Sequence, residues 1–258
     1  MYETIARYYD LIHAELTADL TLIQQLAGQT GGPILELGCG TGRLLRPLAT
    51  AGYRVTGIDN SGLMLARLRQ KLLGETAVVA SRITLLESDL LALDKALQAH
   101  NERFALALFS YNTMMHFSLP QVGRVLRQLH PYLLPGGRVF VDVANPFTLT
   151  ETADTPQLTL ENQLIDPENG DHVLQFANTR HDETAQICHV TWLFDRSPAA
   201  GGPVQRAISQ MAYHYFYPHE LEIALKTADY TLRHIWGSYE QTAFTEDSGR
   251  LLLLAEIS

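Results

Sequence analysis

The chain is poor in cysteine, in long apolar runs and in positive charge. Among 258 residues only Cys39 and Cys188 carry thiols. Two cysteines cannot build a disulfide framework, and these have no metal-ligand spacing, so a reducing, cytoplasmic setting is expected. No apolar run reaches the ~18 residues that a membrane span needs. "RLLLLAEIS" is far too short and reads as a buried strand. "MYETIARYYDLIHAELTADL" has no basic segment followed by an apolar block, so no secretory signal is expected. Lys and Arg total 19 against 28 Asp and Glu, a formal net charge of −9. That balance argues against a nucleic-acid partner, which needs a basic face. His189, His214 and His219 lack Asp or Glu support at fixed spacing, so no metal is expected. There are no repeats and no low-complexity segments.

What is present is an ordinary globular composition, 46% hydrophobic and 18% charged. The length fits one large domain, or one domain carrying an insertion. Helical spacing runs through residues 1 to 30: Ile5, Tyr8, Tyr9 and Ile12, then Leu20, Ile23 and Leu26. Gly28 and the pair at 31–32 stop that helix. "PILEL" is a short buried strand, and helical spacing returns from Arg43 to Ala51. "YRVTGID" is a second strand ending on Asp59. Ser61 caps a helix running to about Leu73. "RITLLESD" is a third strand ending at Asp89, and a short helix fills 93 to 100. "FALALFS" is the fourth strand, a helix opens at Pro120, and "LLPGGRVFVDVA" is a turn and fifth strand. Buried strands alternating with helices predict a doubly wound parallel sheet covered on both faces.

The period changes after Pro146. "PQLTLENQLI", "DHVLQFANTRH", "TAQICHVTWLFD" and "VQRAISQMAYHYFY" alternate with period two, with turn signals "DPENGD" and "SPAAGGP" between them. They predict an antiparallel insert of about four strands. From Pro218 the α/β pattern resumes.

"PILELGCGTGRLL" holds three glycines in five residues directly after a strand. A phosphate loop requires Lys then Ser or Thr after its glycines. Here Arg43 and Leu44 follow, and that reading fails. A dinucleotide fingerprint would put its third glycine on Arg43, which weakens it. The remaining pattern is E-x-G-x-G-x-G: Glu36, Gly38, Gly40, Gly42. It resembles the first motif of class I S-adenosylmethionine (SAM)-dependent methyltransferases. Acids at the ends of the next two strands, Asp59 and Asp89, extend the resemblance.

The resemblance covers nearly the whole chain and implies a Rossmann-like α/β fold. Its seven-stranded sheet has order 3-2-1-4-5-7-6, with strand seven antiparallel. It implies N-terminal lid helices over 1–30, a SAM-binding core over 31–145, an antiparallel substrate or dimer flap over 146–217, and completion of the core over 218–258. The flap looks like that of the aminosugar N-methyltransferases and the glycine N-methyltransferase relatives. SAM is the implied cofactor and S-adenosylhomocysteine its product. Glu36, Gly38, Cys39, Gly40 and Gly42 would floor the methionine half. Asp59 would accept the ribose hydroxyls. Asp89 and the Leu90 N–H would read the adenine, flanked by Asn60 and Leu90 with Met64 as an apolar wall. Ser110, after strand four, would complete the pocket, and Tyr9 would cover the cofactor. His116 and Tyr2 resemble the catalytic histidine and lid tyrosine of the aminosugar enzymes, although "MMHF" lacks a glycine before the histidine. The implied reaction is in-line methyl transfer to nitrogen or oxygen of a small-molecule acceptor. An NAD-dependent oxidoreductase on a similar sheet and a non-catalytic SAM-binding protein are the alternatives. A homodimer through the flap is left open.

Overall fold

The structure is a computed structural model. It describes residues 2–151 and 157–257, with side chains over 6–150 and 157–257. The elements run α1 (Tyr2–Ile12), α2 (Ala18–Thr30), β1 (Ile34–Leu37), α3 (Leu45–Thr50), β2 (Val55–Asp59), α4 (Gly62–Leu72), α5 (Ala77–Ala80) and β3 (Ile83–Glu87). Then come α6 (Leu93–His100), β4 (Phe104–Phe109), α7 (Leu119–Leu129), β5 (Leu133–Ala144) and α8 (Pro146–Glu151). The insert strands are β6 (Thr159–Ile165), β7 (His172–Asp182), β8 (Ile187–Ser197) and β9 (Gln205–His214). The chain closes with α9 (Pro218–Thr227), β10 (Tyr230–Trp236) and β11 (Arg250–Ile257). They form two compact units: Met1–Leu16 with Thr152–His214, and Thr17–Glu151 with Tyr215–Ser258.

The larger unit holds a seven-stranded sheet of order β10-β11-β5-β4-β1-β2-β3. β1 to β5 pair in parallel, and β11 runs antiparallel to both β5 and β10. Counting β10 and β11 as sixth and seventh, this is the doubly wound 3-2-1-4-5-7-6 order that the family resemblance implied. Burial explains the positions. Every residue of "ILEL" in β1 and "FALALF" in β4 is buried, as central parallel strands require. β3, "ITLLE", is nowhere fully buried and takes the edge. Under the sheet's helices, Leu22, Ile23, Leu26, Ile34, Leu45, Leu48, Leu65, Leu106, Leu108 and Phe140 form one core.

Local signals start the helices. Ser61 Oγ accepts the Met64 N–H at 3.3 Å, capping α4. Gln121 Oε1 accepts the Ser118 N–H at 2.8 Å and closes a capping box at α7.

The smaller unit is an antiparallel sheet of order β6-β7-β8-β9, the four-strand insert anticipated from the period-two segments. α1 packs on it, with Tyr8 stacked against Phe194 at 4.8 Å beside Val173 and Met211. The helical spacing of residues 1–30 corresponds to two helices, separated at 13–17, a break that the spacing does not mark. The physical reason is in the burial: Ala6 and Tyr8 of α1 are buried in the insert unit, while Leu22, Ile23 and Leu26 of α2 belong to the other core. One straight helix cannot serve two cores. Among the described residues no helix is long and apolar enough to cross a membrane.

Candidate functional site

β1 ends in the glycine loop at the carboxyl edge of the larger sheet. Gly38, Gly40 and Gly42 have φ of 74°, 52° and 78°, the left-handed region that only glycine enters cheaply. The loop is also crowded. A Cβ on Gly38 would lie 2.6 Å from Thr113 Cγ2, and one on Gly42 2.3 Å from Leu68 Cδ1. On the neighbouring strand, a Cβ on Gly57 would meet Cys39 Sγ at 2.7 Å and Leu45 Cδ1 at 2.5 Å. Gly57 therefore provides the close loop-to-strand approach; that role was not read from the sequence, where it sits unmarked within "VTGID".

Glu36, next to last in β1, is almost fully buried. Ser110 Oγ donates to its Oε1 at 2.9 Å. Its Oε2 has no hydrogen-bond partner among the described residues. Burial pushes the carboxyl up to about 8, against the opposing pull of Ser110 and Arg43. A buried, unpaired carboxylate oxygen is costly unless a donor meets it, and a cationic ammonium meets it best. Cys39 is buried beside it, and desolvation drives its thiol well above the ordinary range, with the charges of Glu36 and Asp59 adding to the effect. It is a packing residue of the loop, with no thiolate character.

Asp59 ends β2 and faces the same loop. Its Oδ2 accepts the Gly40 N–H and its Oδ1 the Ser61 N–H, each at 2.8 Å, and the Asn60 N–H also bonds to it. Burial raises this carboxyl, and the three backbone donors pull it back. A carboxylate offers about four lone-pair sites, so roughly one is left for a further donor. Asn60 is exposed and Met64 is buried on the first turn of α4. Asp89 lies two residues beyond the end of β3, exposed, where its Oδ1 accepts the Leu91 N–H at 2.8 Å. Leu90 beside it is buried.

After β4 comes the segment Ser110–His116. Thr113 Oγ1 donates to the Ser110 carbonyl at 2.8 Å, and Thr113–His116 form a short 3-10 turn. His116 is drawn down to about 4 by burial, which leaves its imidazole neutral at physiological pH. Glu36, the glycines, Asp59, Ser110 and His116 thus share one edge of one sheet.

The remaining candidates lie in the other unit. Tyr9 stacks on His13 at 4.2 Å. Tyr2 falls at the start of α1, and its side chain lies outside the described residues.

A buried charge network next to the site was not anticipated. Asp142, fully buried in β5, takes the Arg250 Nε and Nη2 on Oδ1 at 2.8 and 2.5 Å and the Tyr239 hydroxyl on Oδ2 at 3.0 Å. Arg43 makes a bidentate pair with buried Asp19 at 2.7 and 2.5 Å. Both guanidiniums approach the Tyr111 ring, Arg43 at 5.7 Å and Arg250 at 5.2 Å from its centroid. The available sequence signal was a lone acid inside the apolar run "VFVDVA". Among the described residues no cluster of three or more His, Cys, Asp or Glu could hold a metal ion.

Residues 34–137 match the family model described as "Methyltransferase domain". A ubiquinone biosynthesis O-methyltransferase of Pseudomonas aeruginosa is 31% identical over 128 residues, 48% of this chain and 49% of that protein. The chain thus spans about half the length of that relative. A cypemycin N-terminal methyltransferase of Streptomyces is 25% identical over 98% of this chain and 96% of its own. Among solved structures, the SAM-bound amino pentose methyltransferase CalS10 of Micromonospora echinaspora shares the fold, with TM-score 0.68, 18% identity, and coverage of 93% of this chain and 90% of that one.

Proposed function

We propose that this chain, which carries a methyltransferase domain at residues 34–137, transfers a methyl group from SAM to a nitrogen or oxygen of a small-molecule acceptor. The observation that carries the reading is Glu36. Its buried Oε2, unpartnered among the described residues and beside a loop of positive-φ glycines, is the complement of an amino acid's ammonium lying on bare backbone. Nothing about that loop suits a pyrophosphate: Glu36 is an acid and Arg43 is committed to Asp19.

Glu36 would hold the methionine ammonium, with Gly38, Cys39, Gly40 and Gly42 beneath the chain and Ser110 fixing Glu36. Asp59 would take a ribose hydroxyl on its remaining site. Asn60, Met64, Asp89 and Leu90 would border the adenine. When bound, SAM would supply a methyl carbon made electrophilic by its sulfonium, in reach of a nucleophilic nitrogen or oxygen. The protein's own part is to orient and desolvate the acceptor. His116, neutral and weakly basic, suits accepting a hydrogen bond from the acceptor N–H or O–H more than storing its proton. For Tyr2 and Tyr9 on α1, and for the insert, the proposed roles are those the family resemblance implies: lid and cofactor cover, and acceptor contacts or a dimer seam.

The test is turnover. The protein incubated with SAM and a panel of small amines and alcohols should form S-adenosylhomocysteine and a methylated acceptor, read by mass spectrometry. Binding of SAM with no turnover across the panel would favour a non-catalytic binder. Stabilisation by NAD(H) and not by SAM would favour the oxidoreductase.

A further inference from the structure

The turn after β4 is strained, and something must hold it. Tyr111 and Asn112 have φ of 41° and 68°, two consecutive non-glycine residues in the left-handed region. Such conformations persist only where surroundings enforce them. Here the enforcement comes from two other strands. Asp142 Oδ2 accepts the Tyr111 N–H at 3.2 Å, and the Asp142 carbonyl accepts the Asn112 N–H at 2.8 Å. Arg250, at the start of β11, donates to Asn112 Oδ1 at 2.8 Å with the same Nη2 that reaches Asp142.

What the turn carries lies against the candidate cofactor floor. Ser110, just before it, bonds Glu36. Thr113, just after it, fills the space above Gly38. The Tyr111 ring meets Arg43, the residue that follows the last glycine of the loop. A relaxed turn would withdraw Ser110 from Glu36 and Thr113 from Gly38 together.

We propose that Asp142 and Arg250 are positioning residues, holding the left-handed Tyr111–Asn112 turn so that Ser110 and Thr113 set Glu36 and Gly38 for the cofactor. The inference rests on the SAM reading above. Arginine is required for its geometry as well as its charge: Nε and Nη2 both sit on Asp142 Oδ1 while Nη2 also reaches Asn112, and the single nitrogen of a lysine ammonium cannot keep all three contacts.

The experiment is calorimetric titration with S-adenosylhomocysteine, well below the thermal midpoint of each variant, with circular dichroism verifying the fold. Arg250→Lys keeps a cation beside Asp142 but loses the fork. It should bind about ten-fold more weakly than wild type, the size of a lost charged hydrogen bond. Adding Asn112→Gly should recover most of that loss, because glycine takes the left-handed conformation unaided. Arg250→Lys binding as tightly as wild type, with only a lowered thermal midpoint, would mean a merely structural pair and overturn the proposal. A double variant no tighter than the single one would overturn it too. Should Arg250→Lys not fold, Asn112→Val against Asn112→Gly decides: the β-branched variant should bind more weakly, and equal affinities would overturn the proposal. A wild type that does not bind at all would overturn the SAM reading itself, and this inference with it.

Discussion

Two segments at the same sheet edge reach positive φ by different routes. In Gly38–Gly42 the residues are glycines, and the conformation costs little. In Tyr111–Asn112 they are not, and a buried ion pair from β5 and β11 holds them. The glycine loop is thus a local device, written within a few residues. The turn after β4 is a long-range one, assembled from residues far apart in the chain. The first should fail by crowding, the second by loss of a remote partner.

The largest expected effect is on the long-range device. Asp142→Ala removes the counterion of a buried guanidinium and two other hydrogen bonds, from the Tyr239 hydroxyl and the Tyr111 N–H, and should cost about 3–5 kcal/mol in urea unfolding. A cost below about 1 kcal/mol would mean that the pair is not what holds the turn. Next comes the local device. Gly42→Ala puts a Cβ at φ 78° and 2.3 Å from Leu68, itself fully buried, and should cost about 2–3 kcal/mol. Unchanged stability would show that the loop has room to spare. Asp59→Ala is expected to weaken SAM binding by roughly 1.5–3 kcal/mol, part of it through release of Gly40 and Ser61.

Two further effects follow pH. Glu36 titrates at about 8 in the folded chain against 4.5 ordinarily. A raised carboxyl favours the folded state below the unfolded value and loses that contribution as pH climbs through about 8. Ligand-free wild type should therefore lose stability across that window, and Glu36→Gln should flatten the loss. His116 works in the opposite direction. Its fall from 6.5 to about 4 gives stability present above 6.5 and lost as pH drops through about 4. His116→Gln should soften the acid limb of the thermal midpoint against pH; an unchanged limb would remove His116 as its source.

The difference between the two segments also explains what the sequence disclosed. The doubly wound sheet followed from buried runs alternating with helices, its strand order from the family resemblance, and the insert from a change of period at Pro146. Glu36, the glycines and Asp59 were legible because their chemistry is local and repeats at strand ends. Asp142 and Arg250 were not, because their meaning lies in a pairing between β5 and β11 that only the folded sheet brings about. The place of the break between α1 and α2 was not read from the sequence for a similar reason. Residues 13–17 contain neither proline nor glycine, and the helix ends because its two halves belong to different cores. Gly57 looked like an ordinary strand residue until Cys39 and Leu45 were found pressing on it.

The central claim is that Glu36 and the glycine loop hold the methionine half of SAM. Its most direct test is titration of wild type with S-adenosylhomocysteine near pH 7, in buffers of different ionisation enthalpy. An ammonium settling against Glu36 Oε2 should pull that carboxyl back down, so binding should be saturable and release up to about one proton, and Glu36→Gln should abolish the release. Binding with no proton release, or no heat at all where NAD(H) gives some, would contradict the account.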